Sequence, residues 1–201
     1  MKLRLGFLAS HGGSNVQAIL DACREGRLEA EPCVVISNNS DAMVLDRAMA
    51  ERVPAFHLSS HIHPDPARLD EAILATLEKY RVNLIVLAGY MKKLGPKTLA
   101  RFRGRVLNIH PALLPKYGGK GMYGHHVHEA VLAAGDKESG ATVHLVDAEY
   151  DEGPILAQQK VPVLSDDTSE SLAARVLEVE HQLYAATLQK IAIGEIRLEG
   201  L

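Results

Sequence analysis

Asn108 and His110 stand two residues apart in the run VLNIHPALLP, residues 106–115, and Pro111 follows the histidine directly. In an extended chain, residues i and i+2 share a face. The amide and the imidazole therefore project together, while Leu107 and Ile109 point the other way. Proline biases the residue before it toward extended backbone, which suits a strand that ends by presenting both groups. An amide N–H can donate to a developing oxyanion, and an imidazole can move protons near neutral pH. The plainer alternative is a histidine satisfied by backbone at a strand end, with the asparagine as a turn residue.

Three further stretches carry groups that could act with this pair. DAEYDEGP, residues 147–154, supplies Asp147, Glu149, Asp151 and Glu152 ahead of a Gly-Pro turn. A carboxylate here could orient His110 or raise its pKa, and the residues alone do not choose among the four. ASHGGSN, residues 9–15, follows an apolar run and precedes a helical pattern. Glycines beside free N–H groups at a helix start suit an anion such as phosphate, and this names Gly12, Gly13, Ser14 and Asn15. Ser14 equally fits a simple helix cap. Neither the dinucleotide G-x-G-x-x-G spacing nor a Walker loop is present. In residues 116–131, KYGGKGMYGHHVHEAV, Lys116 and Lys120 could meet an anionic substrate. The glycines at 118, 119, 121 and 124 would suit a lid, and an ordinary surface loop fits as well. The histidines of HLSSHIHP, residues 57–64, and GHHVH, residues 124–128, have no companions at a recognised ligand spacing. They read as solvated loop side chains, and no metal is expected.

The elements that must position these groups alternate along the chain. Apolar strands are predicted at residues 3–9, 33–37, 84–89 and 105–109, with a short one at AFHL after residue 54. Helices are predicted after GGSN, where Val16, Ile19, Leu20 and Cys23 fall at helical spacing before Gly26. Others follow over 43–53, over 65–81 with a proline near the start, and over GPKTLARF. Strand and helix in alternation imply a parallel sheet covered on both faces. Residues 141–147 and 155–163 alternate more strongly and read as antiparallel additions, and 167–193 as a long final helix. The expected class is α/β, a Rossmann-like three-layer sandwich with a mostly parallel sheet in the first half. Ligands bind at the carboxyl edge of such a sheet, which is where Asn108 and His110 fall.

Composition sets the outer bounds. A chain of 201 residues, 47% apolar and 23% charged, suits a single globular domain. A net charge of −3 argues against a nucleic-acid partner held by its backbone. No apolar run is long enough to span a bilayer, and MKLRLGFLAS reads as a first strand rather than a signal peptide. A cytoplasmic protein is expected. Cys23 and Cys33 are too few for a disulfide framework and read as small apolar side chains.

Taken in order, GGSNVQAILDA, VVISNNSDA, VLAGYMKKL, LNIHPALLPKY, GATVHLVDAEYDEGPIL and VEH resemble the phosphoribosylglycinamide formyltransferases, over nearly the whole chain. NIHPALLP with the downstream YDEGP is specific to folate-dependent formyl transfer, and the early GGSN points to the ribonucleotide-using branch. The resemblance implies the formyltransferase fold and transfer of a formyl group from 10-formyltetrahydrofolate, as co-substrate, to the amine of glycinamide ribonucleotide in purine biosynthesis. It implies a catalytic trio of Asn108, His110 and Asp151, with a protonated His110 at the oxyanion. Gly13, Ser14 and Asn15 would hold the ribose phosphate, and Glu180 would contact the ribonucleotide. Met91, Lys92, Lys93, Leu94, Asn108, Val143 and Asp151 would form the folate site, closed by strand 141–146 and the acidic loop. Arg68, after Pro66, stands near a folate-side arginine of some members, and Lys92 stands where some carry arginine. The chain divides on this basis into a ribonucleotide-phosphate half, residues 1–100, and a catalytic and folate half, residues 101–201. A monomer or homodimer with small-molecule substrates is expected. Relatives acting on tRNA, on sugars or on water usually carry further length or an added domain. A non-enzymatic binder on the same fold would have no need of the trio.

Overall fold

The computed structural model describes residues 2–147 and 151–201. Seven strands form one sheet in the order β3-β2-β1-β4-β5-β6-β7. They are β1 Leu3–Leu8, β2 Ala30–Ser37, β3 Ala55–His57, β4 Leu84–Leu87, β5 Val106–His110, β6 Glu138–Leu145 and β7 Ile155–Pro162. The first five run parallel. The last two are antiparallel additions, as the alternating pattern of the second half predicts. Among the described residues five helices connect strands, α1 Ser14–Arg24, α2 Met43–Ala50, α3 Pro66–Lys79, α4 Pro96–Arg101 and α5 His125–Ala133, and α6 Ser169–Ala192 follows β7.

The central parallel strands β1, β4 and β5 and the second half of β2 are buried on both faces and are largely apolar runs, while the edge strand β3 is half-buried. On one face Phe7, Val35, Val86, Leu107 and Ile109 pack under α1, α2 and α6, through Val16, Ile19, Val44, Tyr184 and Leu188. On the other, Ile36, Ile85, Leu87 and Val106 meet α3 at Ile73 and Leu77. A third cluster, from Val131, Ala141, Val161, Leu172 and Val176, seats α5 and the first half of α6 on β6 and β7. No helix among the described residues is long and apolar enough to cross a membrane.

Two strands start earlier than their apolar runs. β2 begins at Ala30 because the pairing slips between Leu5 and Gly6, which admits Pro32 at an irregularity of the ladder. β6 begins at Glu138 because Glu138 pairs with Pro162 across the hairpin. Both extensions depend on a partner strand, which local composition does not report.

Candidate active site

β5 places Asn108 and His110 where alternation predicts, on one side of the strand with Val106, and Leu107 and Ile109 on the other. The antiparallel neighbour supplies the facing residues: Asn108 lies opposite His144 and His110 opposite Thr142. Thr142 is a structural post. Its hydroxyl donates to the Ala112 carbonyl at 2.6 Å and accepts from the Leu114 N–H at 3.1 Å and from Gln158 at 2.9 Å. The chain after His110 is thereby pinned to β6 and β7.

Asp151 completes the cluster. Its carboxylate lies 3.6 Å from Nδ1 of His110 and 3.4 Å from Nε2 of His144, and accepts from the Gly119 N–H at 3.0 Å. Asp151, one of the four acidic candidates of this loop, thus lies against both imidazoles. Glu149 lies outside the described residues. Asp151 sits at a left-handed φ of 55°, a conformation that Asp tolerates better than most residues and that functional sites retain. Burial pushes its carboxyl upward, but the adjacent His144 ring, the nearby His110 ring and the Gly119 N–H outweigh it, and the pKa falls below its ordinary value.

The imidazoles have definable tautomers. Nε2 of His110 lies 2.7 Å from the Tyr117 carbonyl, so it carries a proton and donates, leaving Nδ1 toward Asp151. Nδ1 of His144 lies 2.9 Å from the Leu145 carbonyl and donates to it, so in the neutral ring Nε2 accepts from the Asn108 amide at 3.2 Å. His110 is 4% exposed, and burial lowers its pKa more than Asp151 and the Tyr117 carbonyl raise it. Burial therefore favours the neutral ring in the unliganded protein, while the protonated His110 expected at the oxyanion belongs to the reacting complex.

A cavity of about 230 Å³ opens beside this cluster, lined by Leu87, Tyr90, Lys92, Lys93, Leu94, Leu99, Asn108, His144, Val146 and Asp151 among others. Of the expected folate residues, Lys92, Lys93, Leu94, Asn108 and Asp151 line it. Met91 does not. It lines the cavity beside the glycine loop, and its N–H donates to the Ser10 hydroxyl at 2.8 Å. Val143 does not line it either. Its side chain is fully buried on the opposite face of β6, against α6, and the wall at this position is His144. A one-residue step along a strand exchanges the faces. His144 escaped sequence reasoning because its role depends on the β5–β6 register. Its one local signal was a polar side chain in an apolar strand. Lys92, Lys93 and Tyr90 also border an outer, more polar cleft of about 500 Å³ with Asn38, Asn39, His57 and Pro66. Arg68 is exposed, near Asp65, and borders neither cavity.

The glycine loop follows β1 at the same sheet edge. Gly13, at φ 71°, is the residue before α1, and Ser14 is the first helical residue; no side chain caps the helix. The capping alternative for Ser14 is thereby removed, and the first N–H groups of α1 remain available to an anion. Gly13 is obligatory twice over, since a Cβ there would meet Val44 Cγ2 at 2.3 Å. A cavity of about 150 Å³ lies against Gly12, Gly13, Ser14, Asn15 and Gly89. The Oδ1 of Asn15 is buried with no hydrogen-bond partner among the described residues. Glu180, on α6, is 7% exposed, and burial pushes its carboxyl up to about 8.

Other candidates fall elsewhere. Lys116 is held by Asp136 at 2.6 Å and lies over the Tyr117 ring, so its amine is already neutralised and does not face the site. Lys120 and Tyr123 are exposed, and Tyr123 meets His126 edge-on at 5.5 Å. His125, His126 and Glu129 bring ligand atoms within 4.8 Å of one another, all exposed. They stand at the positive end of α5, which disfavours a cation. His128, expected as a solvated loop side chain, is instead a buried residue of α5 near His110, and its Nδ1 has no hydrogen-bond partner among the described residues. Residues 92–94 line the cavity at Asn108, and α6 reaches the start of α1 through His181 and Ser14.

The formyl transferase family model matches residues 3–188. The phosphoribosylglycinamide formyltransferase of Haemophilus influenzae is 41% identical over 196 residues, covering 98% of this chain and 90% of that protein. Its counterpart in Escherichia coli K12 is 37% identical, with the same coverage. The crystal structure of glycinamide ribonucleotide transformylase 1 from Symbiobacterium toebii superposes with a TM-score of 0.91 at 42% identity, covering 99% of this chain and 92% of that one. A carboxylate between two imidazoles, a β5 amide and an uncapped helix start thus occur in a chain that belongs to the formyl transferase family, among the phosphoribosylglycinamide formyltransferases.

Proposed function

We infer that the protein transfers the formyl group of 10-formyltetrahydrofolate to the primary amine of glycinamide ribonucleotide, in purine biosynthesis. The observation that carries this reading is the meeting of Asn108, His110, His144 and Asp151 at the carboxyl end of β5, beside a largely apolar cavity. The folate ring system would occupy that cavity, with its tail toward the polar cleft beyond Lys92 and Lys93. The ribonucleotide would place its phosphate on Gly13, Ser14 and Asn15 and meet Glu180 along α6.

The amine nitrogen attacks the formyl carbon, a C–N bond forms and the carbonyl oxygen becomes an oxyanion. The Asn108 amide donates to that oxygen. His110, neutral at rest, takes up charge as the amine loses its proton, and Asp151 stabilises the imidazolium that forms. The proton then passes to the departing folate nitrogen, directly or through a water ordered by Asp151, as the old C–N bond breaks. The products are formylglycinamide ribonucleotide and tetrahydrofolate. No step requires a metal. The reading is of a cytoplasmic enzyme, monomer or homodimer, acting on small molecules rather than on nucleic acid or membrane.

The test is to incubate the purified protein with both substrates and follow release of tetrahydrofolate, with and without the ribonucleotide. Ribonucleotide-dependent turnover that collapses in Asn108→Ala and His110→Ala supports the reading. Turnover without the ribonucleotide would mean a hydrolase, and no turnover in a protein that binds the ribonucleotide would mean a binding module.

A further inference from the structure

His181 lies outside the groups used so far. It is half-buried on α6, next in sequence to Glu180, and its Nε2 lies 3.1 Å from the Ser14 hydroxyl at the start of α1. Three elements meet at this ring. α1 brings Ser14. α2 brings Arg47, whose Nε donates to the Gly12 carbonyl at 2.7 Å and whose charge reaches the imidazole. α6 itself brings Glu178, of opposite sign. Two basic side chains therefore grip the glycine loop from opposite helices, one through its backbone and one through its single hydroxyl.

The Ser14–His181 contact has two forms. If Nε2 is bare, it accepts the Ser14 hydroxyl hydrogen and turns that donor away from the loop. If Nε2 carries a proton, as in the imidazolium or the neutral Nε2–H tautomer, it donates to the Ser14 oxygen, and the hydroxyl hydrogen is free to point at an anion. Only the second form lets Ser14 act as a phosphate donor.

We propose that His181 is a positioning residue of the phosphate site: it sets the direction of the Ser14 hydroxyl and couples binding of a phosphate monoester to uptake of a proton by its ring. The proposal rests on reading Gly13 to Asn15 as the phosphate-binding loop. In the free protein burial, and then Arg47, hold the imidazole below its ordinary pKa against the opposing pull of Glu178, so the ring is neutral near pH 7. A bound dianion adds negative charge on the Ser14 side and favours the imidazolium. The proton comes from solvent.

The experiment is calorimetric titration of the full chain with glycinamide ribonucleotide at pH 7.0, in buffers of different ionisation enthalpy, beside steady-state kinetics with saturating folate donor. The wild type is expected to take up protons on binding. His181→Gln is expected to lose that uptake and to raise the ribonucleotide KM roughly tenfold, the loss of about one charge-assisted hydrogen bond. Its kcat at saturation should stay within about twofold. Because the ring acts through the hydroxyl, His181→Gln combined with Ser14→Ala should bind no more weakly than Ser14→Ala alone. Unchanged proton uptake in His181→Gln, additive losses in the double variant, or a fall in kcat with KM unchanged would each overturn the proposal and leave the function standing. A wild type that neither binds nor formylates the ribonucleotide would remove both readings. Thermal unfolding of each variant checks folding, and His181→Asn replaces the Gln variant if that fails to fold.

Discussion

Asn108 and His144 face each other directly across the β5–β6 ladder, and the Asn108 amide nitrogen lies 3.2 Å from Nε2 of His144. His144 Nδ1 is bound to the Leu145 carbonyl, so this ring holds the amide nitrogen and fixes which way the asparagine points. Asn108→Ala should lower kcat by about 100- to 1,000-fold, the usual loss for one oxyanion donor. His144→Ala should also lower kcat, and the double variant should be little worse than the poorer single one, because the two act as a unit. Single-turnover rates measure both, and additive losses would refute the pairing.

Asp151→Asn keeps the shape and removes the charge. Asp151 raises the His110 pKa against burial, so its loss moves that pKa further down. The acid limb of kcat/KM, where His110 becomes protonated and ceases to act as a base, should shift to lower pH, with kcat reduced roughly 100-fold or more. A pH–rate profile gives the sign, and a limb that moves upward would exclude this role for Asp151.

Glu180 makes opposite predictions for stability and binding. Its folded-state pKa of about 8 lies above the ordinary value of 4.5. The protonated form therefore favours the folded state, and stability is lost as pH rises from about 4.5 to about 8, at roughly 1.4 kcal/mol per unit while the two states differ. Glu180→Gln should raise the melting temperature of the free protein at pH 8 and leave it nearly unchanged at pH 4.5. The same variant should weaken ribonucleotide binding. Thermal scans at the two pH values, with and without ribonucleotide, separate these effects.

Gly13→Ala should destabilise the fold by roughly 2–4 kcal/mol, from a left-handed backbone and a collision with Val44. The ribonucleotide KM should rise, while the folate KM changes little. Equal increases in both would indicate general disruption rather than a phosphate site.

Much of this arrangement was legible in the chain because it follows from local rules. Alternation placed Asn108 and His110 on one face, and glycines before a helical pattern marked the loop at 12–15. What could not be read is what depends on register between distant strands. Val143 and His144 are neighbours, and only pairing with β5 decides which enters the cavity. The place of Asp151 depends on Gly119, 32 residues earlier in the chain, from whose N–H it accepts. The meeting of His181 with Ser14 spans 167 residues. Lys116 looked available for an anion until Asp136, 20 residues away, proved to hold it.

Ser10, fully buried at the end of β1, bears on both substrates. Its hydroxyl receives the Met91 N–H and donates to Asn38, its carbonyl receives the Asn39 amide, and its own N–H donates to Gly89. The knot lies two residues before the glycine loop and joins it to the segment that runs on into the folate-side cavity. A ligand that displaces either loop must do work on the other, and thermodynamic reciprocity makes that work the same whichever ligand arrives first. Each substrate's dissociation constant should then depend on occupancy by its partner, with the second binding event carrying an energetic imprint of the first.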